Sequence, residues 1–339
     1  MFGTLFGLAL LRRFEPQDPL WATFEGVSGP GKGKHVVFLA GDEEYRSEEG
    51  LPQLAKILSR RHGFKCTVLF SVGPDSVIDP GVTNNQPGTE SLKTADVCVM
   101  LLRFRNWPDE QMAHFDAYLK AGKPIIGLRT STHAFQYSQD ETSLFHTFDW
   151  RSTEWPGGFG KQVLGETWLS HWGDHGKQAT LGVVRTQSKG HPVLTGVDSL
   201  FGTSDVYEAH PPPDAQILIE GLVLEGLDRA SAPAKGERKT ATGEVRALNG
   251  PGMPIVWTRD YKNRSGTTNR VLTCTMGAAT DFLDVGLRRL MVNSVYWATG
   301  LSSEIKSDIN VDLVGTYKPS PFGFGGHRKG LKPVDTVKL

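Results

Sequence analysis

The sequence predicts an α/β fold built on a mostly parallel central sheet. Three observations carry the prediction. Short apolar runs alternate with helix-like stretches along most of the chain. The crossovers that hold helices run to a dozen residues or more, the length a parallel connection requires. The central runs are apolar without interruption, as in strands covered on both faces.

The elements follow in order. After a Gly/Pro/Lys-rich lead-in at residues 29–34, residues 35–40 form a buried strand ending at Gly41. Ser47 is positioned to cap a helix in which Leu51, Leu54, Ala55 and Leu58 share one face, and His62-Gly63 ends it. Residues 65–72 are a second strand, and 74–90 a Gly/Pro/Asn-rich loop. Residues 96–102 are a third strand. Pro108 opens a helix with Asp109 and Glu110 in its first turn and a stripe of Met112, Phe115 and Leu119, closed by Gly122. Residues 124–128 are a fourth strand. Residues 157–223 are Gly-rich and irregular, with short strands at 179–184 and 217–224. The polar stretch 228–247 reads as a surface loop, and 255–259 and 270–276 as strands. Asp281 is placed to cap a last helix carrying Leu283, Leu287, Leu290, Met291, Val295 and Ala298, stopped by Gly300. The organisation is an N-terminal extension (1–34), one α/β domain (35–300, with an insertion near 150–250) and a tail packed on it (301–339).

Composition narrows the function. Thirty-seven Lys and Arg balance 37 Asp and Glu in 339 residues, so the basic surplus that phosphate contacts need is missing and a nucleic-acid partner is not expected. No run reaches 18 apolar residues, so no transmembrane helix is expected. Residues 2–11 are mostly apolar, but Arg12 and Arg13 follow the run instead of preceding it. An unusual export signal and an unstructured start both stay open. Cys66, Cys98 and Cys274 lie scattered in apolar runs and read as core residues.

Ligands of open α/β sheets sit beyond the carboxyl ends of the strands. Four segments there carry polar residues: 41–46, 103–106, 129–133 and 277–281. Arg103, Arg105 and Arg129 offer fixed-fork donors, while Asp42, Glu43 and Glu44 offer acceptors or a general base. Thr130, Asp281 and His133 fall in the same loops. The plainer reading is a network of ion pairs at a loop-rich edge. The middle segment adds Glu166, His171 and His175. His171 and His175 have the i, i+4 spacing of a helical metal pair, but Gly173 and Gly176 argue against a regular helix, which favours acid/base or substrate roles. Asp205 and Tyr207 add a carboxylate and a phenol. Trp150, Trp155, Trp168 and Trp172 suit either sugar faces or aromatic core. No Gly-x-Ser-x-Gly is present and no cysteine follows the fourth strand, so nucleophilic acyl transfer is disfavoured. The lysine-bearing lead-in precedes the first strand and is not a phosphate-binding loop.

The runs 36–49, Arg103-Phe104-Arg105, 123–135, 164–168, 191–194 and 275–278 resemble the ThuA-like (trehalose utilisation) family, over roughly residues 20–330. The resemblance implies a flavodoxin-like three-layer fold related to class I glutamine amidotransferases, and a bacterial, often exported protein, with a cytoplasmic location as the alternative. The amidotransferase cysteine falls just after the fourth strand. Here Arg129 follows Gly127-Leu128, so glutamine hydrolysis is not expected. The family association is with disaccharides, particularly 3-keto sugars.

The expectation is therefore a carbohydrate-processing enzyme working by acid/base-assisted hydrolysis, elimination or isomerisation. His133, His171, His175, Glu44 and Arg129 are its candidate catalytic residues. Asp42, Arg103, Arg105, Thr130, Asp205, Tyr207 and Asp281 are its candidate sugar-binding residues. The alternative is a protein that binds a sugar or an anionic metabolite without turnover. No cofactor is required by the sequence. A divalent metal, for which His171 and His175 are the candidates, and a homo-oligomer are both compatible with it.

Overall fold

The computed structural model describes residues 20–137 and 142–338. The apolar run at residues 2–11 lies outside them. In chain order the elements are β1 (Trp21–Phe24), β2 (His35–Gly41), α1 (Ser47–His62), β3 (Lys65–Phe70), β4 (Val97–Leu102), α2 (Asp109–Lys120) and β5 (Ile125–Leu128). Then come β6 (Thr180–Val184), β7 (Ser199–Gly202), β8 (Gln216–Val223), β9 (Glu237–Lys239), β10 (Val245–Ala247), β11 (Met253–Lys262), β12 (Thr268–Cys274), α3 (Val285–Ala298) and α4 (Asp335–Lys338).

Ten strands form one sheet in the order β1-β3-β2-β4-β5-β12-β11-β8-β6-β7. Its centre, β3-β2-β4-β5-β12, is parallel throughout. β1 adds an antiparallel edge on one side, and β11, β8, β6 and β7 an antiparallel wing on the other. Alternation along β2 explains the layers. Val36, Phe38 and Ala40 join a core with Leu51, Leu54 and Leu58 of α1 and Leu287, Leu290 and Val295 of α3. Val37 and Leu39 join another with Met112, Phe115 and Leu119 of α2 and with Phe135, Phe148 and Phe159. Helices thus cover both faces, and the stripes on α1 and α2 are the ones the spacing predicts.

The segment 150–250 is more regular than its glycines suggest. β6, β7 and β8 come from it and extend the main sheet, while β9 and β10 form a hairpin where a loop was expected. The hairpin strands are three residues long and without a buried face, so they leave no periodic signal. β1 was also not foreseen within the extension.

Two expected caps are corrected. Arg46, in a left-handed conformation (φ 58°), precedes α1, and Ser47 Oγ instead accepts from the Asp42 N–H at 3.0 Å. Asp284 caps α3, its carboxylate accepting from the Leu287 N–H at 2.9 Å, whereas Asp281 is buried in the 3-10 turn before it. The tail folds back over the sheet edge. Tyr317 donates its hydroxyl to Ala279 O (2.7 Å), and the Ile78 N–H donates to Leu331 O (2.8 Å). Among the described residues no helix is long and apolar enough to cross a membrane.

Candidate functional site

The four polar strand-end segments do converge, because the five central strands are parallel. β5 runs directly into a 3-10 turn, Arg129–His133, and Arg129 enters it at φ +40°, where a side-chain-bearing residue is strained. The turn is held by its neighbours. The Arg129 N–H donates to Met276 O beyond β12 (3.2 Å). Its guanidinium donates to Asp205 O (2.5 Å), Thr275 O (2.9 Å), Asp205 Oδ1 (2.8 Å) and the Tyr45 hydroxyl (3.0 Å). It also lies over the Tyr207 ring, 3.7 Å from the centroid. Arg129 is fully buried, so it organises the site from beneath instead of facing a ligand.

What it organises is Asp205, in the segment after β7. The backbone here is fixed by Thr180 Oγ1 donating to Ser204 O (2.7 Å) and Ser204 Oγ donating to Asp281 Oδ2 (2.6 Å). Asp281 also accepts from the Gly277 and Ala278 N–H groups (3.1 and 3.0 Å), so it is an internal brace of two loops. Asp205 Oδ2 lies 2.7 Å from His171 Nδ1, and Oδ1 lies 3.0 Å from His175 Nδ1. A carboxylate only accepts, so both rings donate from Nδ1. His175 Nε2 lies 3.2 Å from Glu44 Oε1, while His171 Nε2 has no hydrogen-bond partner among the described residues. The two histidines meet without a helix. His171 pairs with Tyr207 in an isolated antiparallel bridge, the chain bends at Trp172 and Gly173, whose N–H groups both donate to Val206 O (2.7 and 3.0 Å), and it then turns after Asp174.

The electrostatics derive from burial and pairing. Burial alone would raise the Asp205 carboxyl, but Arg129 and the two histidines outweigh it and hold Asp205 below the ordinary carboxylate range. The hydrogen bond to Asp205 pushes His175 up, against its partial burial. Burial, reinforced by the nearby Asp42 charge, pushes Glu44 up. Burial, with the Arg103 and Arg129 charges, drives His133 well below its usual value and keeps it neutral.

The remaining charges separate into internal and rim positions. Arg105 is fully buried, pairs with Glu43 (2.8 Å) and donates to Pro80 O and Val82 O (2.9 and 3.0 Å), tying down the 80–82 loop. Asp42 accepts from the Glu44 and Tyr45 N–H groups (2.7 and 2.5 Å) and from the Thr130 hydroxyl, joining the turns after β2 and β5. Arg103 stays at the rim, paired with Glu43 and 3.8 Å from Glu44. Beside it stand the half-buried rings of Phe104, Trp150 and Trp168. Phe104 to Trp150 is 5.4 Å, Trp150 to Trp168 6.1 Å, and Trp168 to His171 5.8 Å between centroids. His133 is packed behind this wall, 5.0 Å from Phe104 and 5.9 Å from Trp168. Trp155 and Trp172 are core, as is the Tyr207 ring beneath Arg129.

Sequence reasoning missed Tyr45, Phe104 and Phe322. Tyr45 and Phe104 stood in segments already singled out for their charges, so a strand-end reading that included aromatics would have found them. Phe322, 5.5 Å from His175 and 5.3 Å from Tyr45, comes from the tail and carries no local signal. One donor set suits a cation: nitrogen and oxygen atoms of His171, His175 and Asp205 lie within 4.8 Å of one another. Two histidines and one carboxylate are the ligand types of a facial divalent-metal site.

Comparison with known proteins matches the ThuA family model, described as trehalose utilisation, to residues 35–298. Two solved structures of ThuA-like proteins are similar. The one from Parabacteroides merdae is 17% identical with a TM-score of 0.49, covering 79% of this chain and 90% of its own. The one from Bacteroides uniformis is 18% identical with a TM-score of 0.46, covering 80% and 93%. No curated protein matches significantly.

Proposed function

The chain belongs to the ThuA, or trehalose utilisation, family, and from that premise we propose that it processes a disaccharide-derived 3-keto sugar by acid/base chemistry at His171, His175 and Glu44. The observation that carries the reading is the bridging Asp205 carboxylate. It fixes both imidazoles through Nδ1 and leaves His171 Nε2 free to take a proton. The parallel core with helices on both faces also supports a flavodoxin-like assignment, with the antiparallel wing as an addition.

A keto group at C3 acidifies the neighbouring C2–H. His171 Nε2 removes that proton, and the electron pair moves through the enolate to expel the glycosidic oxygen from C1. Protonated His175, whose Nε2 lies 3.2 Å from Glu44 Oε1, delivers a proton to the departing oxygen. The products are an unsaturated keto sugar and a free monosaccharide, and addition of water to the former completes a net hydrolysis. Arg103 is the arginine at the rim able to face the enolate oxygen, while Arg129 supports Asp205 from behind. The test is to incubate the protein with 3-keto-trehalose and monitor monosaccharide release. Release that disappears in His171→Ala supports the reading. Tight binding without release overturns it in favour of a sugar-binding protein.

The three-atom donor set favours a second reading, in which the same residues hold a divalent cation that polarises the keto oxygen. Calorimetric titration of chelator-treated protein with zinc or manganese chloride separates the two. Stoichiometric binding that Asp205→Asn abolishes, with turnover dependent on the metal, selects the second.

A further inference from the structure

The aromatic wall beside the centre has two ends, Phe104 on one side and His171 on the other, and the C-terminal tail joins them. His171 lies 4.8 Å from His175, and His175 lies 5.5 Å from Phe322. Two residues further on, the Phe324 ring sits 5.0 Å from the Arg103 guanidinium carbon, which lies 4.5 Å from the Phe104 ring. The contacts therefore close a ring in which His171 and His175 are members, and the tail supplies one side of it. That side lies beyond residue 298, where the family match ends.

The tail is fixed where it crosses. The Gly323 N–H donates to Glu44 O (2.8 Å), and its carbonyl accepts from Arg46 Nη2. Gly323 adopts φ 139°, a conformation that side-chain-bearing residues rarely adopt, so a glycine is needed between the two phenylalanines. The Ser320 N–H donates to Glu49 (2.8 Å), which pins the approach. The result places Phe324 on a clamped backbone with 64% of the residue exposed. An exposed apolar ring on a clamped backbone, beside the Arg103–Glu43 ion pair, is a stacking face whose backbone ordering cost has been met before any ligand arrives. Phe322 does a different job, covering Tyr45 and the outer side of His175.

We propose that this strap builds a second-ring subsite. The inner ring of a disaccharide meets His171 and Glu44, and the apolar face of its outer ring stacks on Phe324. The inference rests on the sugar reading above, and adds Phe324 as the residue that receives the second ring.

Calorimetry with glucose and with trehalose, on the wild type and on Phe324→Ala, tests it. Trehalose should bind the wild type more tightly than glucose. Phe324→Ala should weaken trehalose by about three- to tenfold, the loss of one aromatic face, and glucose by less. A wild type that binds both sugars, with Phe324→Ala leaving the trehalose-to-glucose ratio unchanged, overturns the subsite and leaves the sugar reading intact. A wild type that binds neither overturns the subsite, while the 3-keto reading is decided separately by the monosaccharide-release assay. Phe324 is exposed, so the variant should fold. Phe322→Leu, which keeps an apolar cover on His175, should retain the trehalose preference, and its loss there would also count against Phe324 as the stacking face.

Discussion

Arg129 and Asp205 form an ion pair from which water is excluded, with Nη2 2.8 Å from Oδ1 and neither side chain exposed. Removing one partner of such a pair strands the other charge in the interior. Arg129→Leu should therefore cost about 3–5 kcal/mol. Arg129→Lys should recover only part of that, because one ammonium cannot reach Asp205, Thr275 and Tyr45 from a single point. Urea denaturation of the three proteins checks the order. Equal midpoints would show that the pair contributes nothing to stability.

Asp205→Asn tests the same carboxylate chemically. An amide presents one acceptor and one donor, so it cannot receive a hydrogen bond from both His171 and His175. One ring is forced into the opposite tautomer or loses its partner. Turnover of a 3-keto-disaccharide should fall by about a hundredfold or more, with KM much less affected, as expected when a base loses its orientation. A variant that keeps its kcat would show that Asp205 does not orient the base.

Glu48 gives a pH signature away from the site. It is buried, its oxygens have no hydrogen-bond partner among the described residues, and burial pushes its carboxyl up to about 8 from 4.5. Between those values the folded state holds a proton that the unfolded state releases. Stability should therefore fall as pH rises from about 4.5 to about 8. Glu48→Gln removes the penalty. It should stabilise the protein by up to a few kcal/mol at pH 8, each pKa unit being worth about 1.4 kcal/mol, and far less at pH 5. Thermal melts across that range check it, and a pH-independent effect would refute the assignment.

The convergence of the strand ends was legible because it depends only on parallel strands and on the residues just after each of them. Roles within the converged group were not. Arg103, Arg105 and Arg129 look equivalent as a sequence, yet one lies on the rim, one ties down a neighbouring loop and one sits beneath Asp205. That division comes from how deeply each turn is packed, a tertiary property without a local pattern. Asp281 and Asp284 show the same limit at short range. Either can cap a helix three residues later, and Asp281 is instead drawn inward by Ser204. The antiparallel wing was largely legible, since β6, β8 and β11 were foreseen as strands, whereas the four-residue β7 at its edge was not.

Thiol chemistry offers a direct measure of the core. Cys66, Cys98 and Cys274 are all buried and free. Burial raises each thiol, that of Cys274 to about 12, so none carries an appreciable thiolate fraction near neutral pH. Ellman's reagent should report no reactive thiol in the native protein and three in urea. A thiol that reacts at once in buffer would mean that its strand opens readily.

Gly160 tests whether the turn after β5 must sit where it does. A Cβ at this position would collide with the backbone carbonyl of Thr132 and come within 3.0 Å of Glu166 O. Both obstacles are main chain, so neither can rotate away. Gly160→Ala must push the Arg129–His133 turn outward, although residue 160 touches none of the proposed catalytic groups. That displacement loosens the Arg129 hydrogen bonds and, through them, Asp205. The expected cost is about 3 kcal/mol or more, with a loss of turnover larger than the loss of folded protein explains. Gly190→Ala is the control, since nothing lies within 4 Å of its Cβ. Measuring melting temperature and turnover for both variants decides the matter. If Gly160→Ala behaves like Gly190→Ala, the turn has slack, and the strained Arg129 conformation is not enforced by the packing around it.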